Sequence, residues 1–202
     1  MKEEILNNSF FADDPVKVAP ELLGKYIIRK KGKNLIIGKI VETEGYRGKD
    51  DKACHACRYG YTERTKVLFS KPGTIYVYPV HINMYCFNVI AHKDKEGEAG
   101  GVLIRAVEPV KGIEIMTKLR KKEIKKEKDL INLTNGPSKF CMAFDITRKL
   151  NGMPLSKDYL YITEGEKVLK KEIGRSPRIN IPYAEEAKDF LWRFFIKGNK
   201  FV

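Results

Sequence analysis

The sequence predicts a single mixed domain of the α+β class, and three observations carry that prediction. First, the chain has 202 residues and 43% hydrophobic content, with no repeat, low-complexity linker or break in composition. That suits one core and one domain. Second, apolar alternations of strand type recur in pairs across turn-forming residues. Third, short stretches with helix start and stop signals lie between and after them. The expected organisation is a polar, frayed tail over 1–9 and one domain over 10–202.

The elements follow in order. Val16 to Leu23 reads as a short helix after Asp13-Asp14-Pro15, with Gly24 as its stop. Residues 25–29 and 35–44 form a hairpin across the basic turn 29–34. The polar stretch from Arg47 to Lys71 is a long loop, a kind that in compact domains is more often functional than idle. After the turn Lys71-Pro72-Gly73 comes a strand over 74–78, with Tyr76 and Tyr78 on one face. A second strand over 84–91 places Met84, Cys86, Asn88 and Ile90 together, so residues 79–83 are a hairpin tip with apolar side chains. Such a tip on a basic protein suggests a wedge, or else a tip packed on its own domain. Val102 to Val107 is a core-like strand interrupted by Arg105. A helix is expected from about Pro109, with a solvated charged continuation over 120–128. Asn135-Gly136-Pro137-Ser138-Lys139 leads into a second helix over 140–144, an arrangement suited either to an anion or to ordinary capping. A strand over 159–163, a basic loop over 175–178, a short helix over 184–191 and a closing strand over 192–196 complete the chain.

The stretch from Ile40 to His55 is the candidate centre. Period-two alternation places Ile36, Ile40, Glu42, Glu44 and Tyr46 on one face. Acids sharing a face with core residues must be paired, hydrogen-bonded or wet. One of them is therefore a candidate base beside an aromatic platform, unless the strand simply emerges into solvent there. Arg105, mid-strand, needs a carboxylate, a phosphate or water, and Glu42 or Glu44 is the obvious partner.

Lys and Arg number 39 against 26 Asp and Glu, a net charge of +13. That balance favours a polyanionic partner, nucleic acid before a membrane surface. The first residues lack a secretory apolar region and the most apolar stretch, 77–91, is broken by polar residues and Pro79. The expectation is a soluble intracellular, cytoplasmic protein. Cys54-His55-Ala56-Cys57 has C-x-x-C spacing, but no second pair completes a zinc site, and Cys86 and Cys141 stand alone.

Taken together, Leu22-Leu23-Gly24-Lys25, Ile40 to Tyr46 with His55, Lys71 to Tyr78, Tyr85 to Val89, Leu103 to Pro109 and Gly136 to Lys139 resemble the alkyladenine (3-methyladenine) DNA glycosylase family. The blocks cover most of residues 10–197. The resemblance implies a curved antiparallel sheet with surrounding helices and a protruding β-hairpin, no metal or cofactor, and a monomer acting on double-stranded DNA that contains damaged purines. It implies a monofunctional enzyme that flips an alkylated or deaminated purine, such as hypoxanthine, out of the duplex and hydrolyses its N-glycosidic bond to begin base excision repair. By position, Glu44 matches the general base and Arg105 its partner; Tyr46, His55 and Tyr78 match the aromatic walls, and Asn88 the pocket floor. Gly136, Ser138, Lys139 and Arg178 are the expected backbone contacts, and His81 with Ile82 the expected wedge. Three positions depart from the family pattern. His81 stands where a tyrosine is usual, Glu63-Arg64-Thr65 replaces an Arg-Asn pair, and Asn180 stands where glycine is common. The rival is a non-catalytic damaged-DNA binding module of the same fold. A zinc base deaminase is excluded by the missing H-x-E and P-C-x-x-C signature.

Overall fold

A computed structural model of the chain describes residues 4–202. One antiparallel eight-stranded sheet organises it, in the order β3(Ile75–His81), β4(Met84–Ile90), β5(Gly100–Lys111), β2(Asn34–Arg47), β1(Tyr26–Lys31), β6(Leu160–Thr163), with β7(Ile173–Ser176) and β8(Arg193–Ile196) branching from β2. Five helices surround it: α1(Pro15–Glu21), α2(His55–Tyr59), α3(Ile113–Arg120), α4(Glu127–Ile131) and α5(Pro137–Ala143). The α+β class is as expected.

The 14 residues of β2 hold the sheet together. One edge pairs with β5 along its length; the other pairs with β1 over residues 34–39 and then with β8 over 42–44. The change of partner coincides with a break in register. Ile40 faces Val107 and Glu42 faces Ala106, then Thr43 faces Ile104, so one extra residue in β2 is offset by one in β5. These bulges reset which side chains face which way. Ile36 and Ile40 belong to the main core, whereas Glu42, Glu44 and Tyr46 point to the opposite face. Strict alternation, which placed all five together, is therefore corrected by the bulge at Val41.

The main core lies between one sheet face and α1, α3 and α5, where Ile27, Ile36, Phe87, Ile104, Met116, Phe140 and Phe144 are buried. Close approach shapes its edges. A Cβ on Gly45 would sit 2.9 Å from the Pro15 carbonyl oxygen, and one on Gly24, at φ +82°, would sit 2.2 Å from the Glu166 carbonyl. Gly24 does follow the helix end, as its stop role required.

Several boundaries differ from expectation. The tail over 1–9 is not free within the described residues: the Leu6 N–H donates to the Ile162 carbonyl at 2.9 Å, Ile5 bridges Thr163, and Leu6 is buried. Its polar composition hid an edge pairing to β6. The hairpin of β1 and β2 turns at Gly32-Lys33, tighter than the expected six-residue turn. Pro109 lies inside β5, and the helix begins only at Ile113 after Gly112 at φ +80°. Pro109 sits opposite Gly38 in β2, beside the register shift between Ile37 and Gly38, an irregularity of the kind that admits proline in a strand. Arg175 and Ser176, the first half of the expected loop over 175–178, belong to β7 against β8.

Candidate active site

The sheet face away from the main core carries a cavity of about 570 Å³. The alternation in β3 and β4 builds one wall. Val77, Phe87 and Val89 point into the core, so Tyr76, Tyr78, Cys86 and Asn88 point the other way. The loop after β2 adds His55 at the start of α2, and residues 179–183 close the far side. His55 and Tyr78 meet edge to face, centroids 4.7 Å apart at 71°, and His55 Nδ1 lies 3.0 Å from the Tyr76 hydroxyl. Asn88 is buried, and its Nδ2 donates to the Tyr76 carbonyl at 3.3 Å.

Glu44 lies one hydrogen bond behind the cavity surface. Its side chain is 0% exposed. Its Oε2 accepts the Tyr46 hydroxyl at 2.6 Å; its Oε1 accepts the Ile179 N–H at 2.8 Å and lies 3.3 Å from an Arg105 terminal nitrogen. Tyr46, Ile179 and Arg105 all line the cavity. Glu42 is engaged differently: a single oxygen takes Arg105 Nε at 2.9 Å and Arg193 Nε at 2.5 Å. Arg105 thus binds both acids. Burial alone would lower its pKa, but Glu44 and Glu42 outweigh that and raise it. Tyr46 is pushed well above the usual tyrosine range by burial and by Glu44, so its hydroxyl remains a donor.

His55 is driven the other way. Burial, then the charges of Arg64 and Arg58, lower its pKa to about 4, leaving a neutral imidazole near pH 7. The neighbouring Tyr76 is raised to about 12, mainly by burial. Cys54 is also raised to about 12 by burial, which makes it a poor thiolate. The four cysteines are free, and no group of three or more His, Cys, Asp or Glu side chains suited to a metal occurs among the described residues.

The hairpin tip projects beyond the sheet. His81 faces Met84 in the last register position, Ile82 is 92% exposed and Asn83 adopts φ +57°. His81 reaches the cavity mouth while Ile82 points outward into solvent.

The expected backbone contacts divide. Ser138 lines the cavity mouth, with Gly136 just before α5. Lys139 is partly committed, because its ammonium donates at 2.8 Å to both Asn132 Oδ1 and Asn135 Oδ1. Arg178 is a correction. Its side chain is 0% exposed, bound to Asp51 at 2.6 and 2.7 Å and to the Gly45 and Ala187 carbonyls at 2.9 and 3.1 Å. Its guanidinium also stacks 4.6 Å from the Tyr46 ring centroid. Buried among these acceptors it cannot meet a phosphate; it backs the aromatic wall. A basic run of sequence carries no sign of which arginine turns inward.

Other contributors went unmarked in the sequence. The Ile179 N–H reaches Glu44, and the next residue, Asn180, turns through φ +61°. That left-handed backbone explains why glycine suits position 180, and asparagine is among the few other residues that tolerate it. Asp51 and Arg193 act through ion pairs that only folding brings together. For Arg58, Tyr59 and Arg64 a signal was present, a basic and aromatic interleaving in the long loop.

Known proteins resemble this chain along nearly its whole length. The family model described as methylpurine-DNA glycosylase (MPG) matches residues 9–200. A Clostridium acetobutylicum protein is 48% identical over 200 residues, covering 98% of this chain and 96% of its own length. Proteins of Clostridium perfringens and Clostridium novyi are 47% and 44% identical over 203 and 201 residues, covering 98% of this chain and 98% and 97% of their own. Each is named as a candidate 3-methyladenine DNA glycosylase. The chain belongs to the methylpurine-DNA glycosylase family.

Proposed function

We propose that this family member is a monofunctional DNA glycosylase that draws a damaged purine nucleotide out of duplex DNA into the cavity and hydrolyses its N-glycosidic bond with a water activated by Glu44. Alkylated and deaminated purines are its substrates, and the reaction opens base excision repair. The carrying observation is a fully buried carboxylate, bound to a guanidinium, directly behind a cavity walled by Tyr46, His55, Tyr78 and Asn88.

A carboxylate offers about four acceptor positions. Tyr46 occupies one on Oε2 of Glu44 and Ile179 one on Oε1, and Arg105 adds an ion pair to Oε1 at 3.3 Å. A free position on Oε2 takes a proton from water as the purine departs. Because those donors cover the acid, a small displacement of the Tyr46 hydroxyl admits the water to Oε2. Departure of the base leaves an oxocarbenium-like sugar, and the carboxylate favours that charge as well as the proton transfer. Arg105 fixes the acid in place and is itself held by Glu42.

The cavity walls supply recognition. Tyr46, Tyr78 and neutral His55 offer ring surfaces to a purine, and a cationic alkylpurine gains further from electron-rich rings. Asn88 crowds the exocyclic amine of an undamaged guanine. His81 and Ile82 fill the space left in the duplex, which offsets part of the few kcal/mol that flipping costs. Gly136, Ser138 and Lys139, at the start of α5, lie against the DNA backbone.

The test is release of free base from duplexes bearing an alkylated, a deaminated or no lesion. Release from lesion duplexes alone is expected. Specific lesion binding with no release from any of them would favour the non-catalytic alternative.

A further inference from the structure

The mouth of the cavity carries charge that the chemistry of its floor leaves unused. The lining includes three arginines and no carboxylate. Arg105 is engaged by Glu42 and Glu44, but Arg58 and Arg64 are exposed, and neither forms an ion pair with an acid among the described residues. Glu63, next to Arg64 in the chain, pairs instead with Lys66 at 2.7 Å.

Both guanidiniums are held by aromatic rings. Arg58 lies 4.3 Å from the Tyr183 ring centroid and 5.3 Å from that of Tyr59, and Arg64 lies 5.9 Å from Tyr59. Stacking occupies the faces of a guanidinium; an edge of Arg64 also lies toward the Tyr76 hydroxyl and one of Arg58 toward that of Tyr183, and the five N–H donors of each fork leave others for a ligand. It also restrains a long side chain in advance, which reduces the entropy lost on binding. A planar fork without an acidic partner, set at the rim of a cavity, suits a phosphate oxygen pair.

We propose that Arg58 and Arg64 form a phosphate clamp at the cavity mouth, gripping the DNA backbone immediately beside the nucleotide whose base occupies the cavity. The inference rests on the glycosylase reading above, because a nucleotide whose base fills the cavity must bring its flanking phosphates to this rim. The clamp positions the substrate and takes no part in bond cleavage. Its ligand is a backbone phosphodiester, distinct from the base recognised by Tyr46, His55 and Tyr78.

The experiment is a cycle between protein and DNA. Lesion duplexes carrying one uncharged methylphosphonate linkage, either 5′ or 3′ of the lesion, are compared with the unmodified duplex. Wild type, Arg58→Met and Arg64→Met are measured for binding across a salt series and for single-turnover release. On the unmodified duplex each variant should bind about ten- to a hundredfold more weakly, as for loss of a charge-assisted hydrogen bond. The slope of log affinity against log salt should fall by roughly 0.9 per lost phosphate contact. At one of the two linkages the neutral duplex should weaken wild type by a similar factor, and the variants should lose little more there. Fully additive losses at both linkages, or an unchanged salt slope, would overturn the clamp. Wild-type release from the unmodified lesion duplex separates the outcomes: no release defeats the glycosylase reading, whereas release with additive losses defeats only the clamp.

Discussion

At the scale of single residues, the site divides labour by hydrogen-bond partners rather than by residue type. Glu42 and Glu44 are two positions apart on one face, yet two guanidiniums converge on a single oxygen of Glu42, while Glu44 accepts the Tyr46 hydroxyl and the Ile179 N–H on separate oxygens and pairs with one guanidinium. Folding, not sequence, tells the two acids apart. Neutral His55 is a second case. With a folded pKa of about 4 against an ordinary 6.5, it binds fewer protons than the unfolded chain between those values. Its contribution to stability is therefore fully present above pH 6.5 and is lost as pH falls towards 4. NMR of the His55 ring should show a neutral imidazole down to about pH 5; a midpoint near 6.5 would contradict the burial and the charge of the Arg58 and Arg64 pair. The third case is Arg178 with Asp51, both side chains 0% exposed. Arg178→Met leaves a buried carboxylate unpaired, which should cost about 3–5 kcal/mol. Thermal melting should fall by about 6–20 °C for a chain of this size. A loss below 2 °C would mean that the pair is replaceable.

At the scale of elements, β2 decides the geometry. Its hydrophobic alternation was legible, as were the faces of β3 and β4, because a strand half-buried on a core writes its period into the sequence. The bulge at Val41 was not legible, since one extra residue opposite β5 changes no local propensity. The expectation that Glu44 and Arg105 meet was right, although strict alternation had turned Ile36 and Ile40 to their side. The hairpin of β3 and β4 was legible too, but not its tip: Pro79 pairs with Tyr85 and β3 runs on to His81, so the turn is Ile82-Asn83 rather than residues 79–83. Its exposure supports a direct test. Ile82 is 92% exposed, so Ile82→Ala should leave the melting temperature almost unchanged. If the tip is a wedge, Ile82→Ala and His81→Ala should each reduce the base-fluorescence signal of flipping in stopped-flow traces. An unchanged signal in both would remove the wedge role.

At the scale of the whole molecule, the sheet separates two tasks. One face packs the helices and main core; the other carries the cavity and its ion pairs. The fold class was readable, since it depends on periodicity and residue type. The inward turn of Arg178, the Ile179 N–H and the pairing of the first residues with β6 were not, because they depend on contacts between distant segments. A net charge of +13 was also plain, and it predicts a steep salt dependence of DNA binding. With six to ten phosphate contacts, affinity should fall about 10³–10⁵-fold between 50 and 200 mM salt, measured by fluorescence anisotropy. A shallow dependence would place the basic surface elsewhere than on DNA.

The most direct test of the central claim is single-turnover excision by Glu44→Gln on a lesion duplex that wild type processes. The variant keeps the shape of the side chain but no longer offers a carboxylate to water. Binding should persist while the excision rate falls by about 10²–10⁴-fold, the usual contribution of a general base. Excision within a few-fold of wild type would contradict the assignment of Glu44 as the group that activates water.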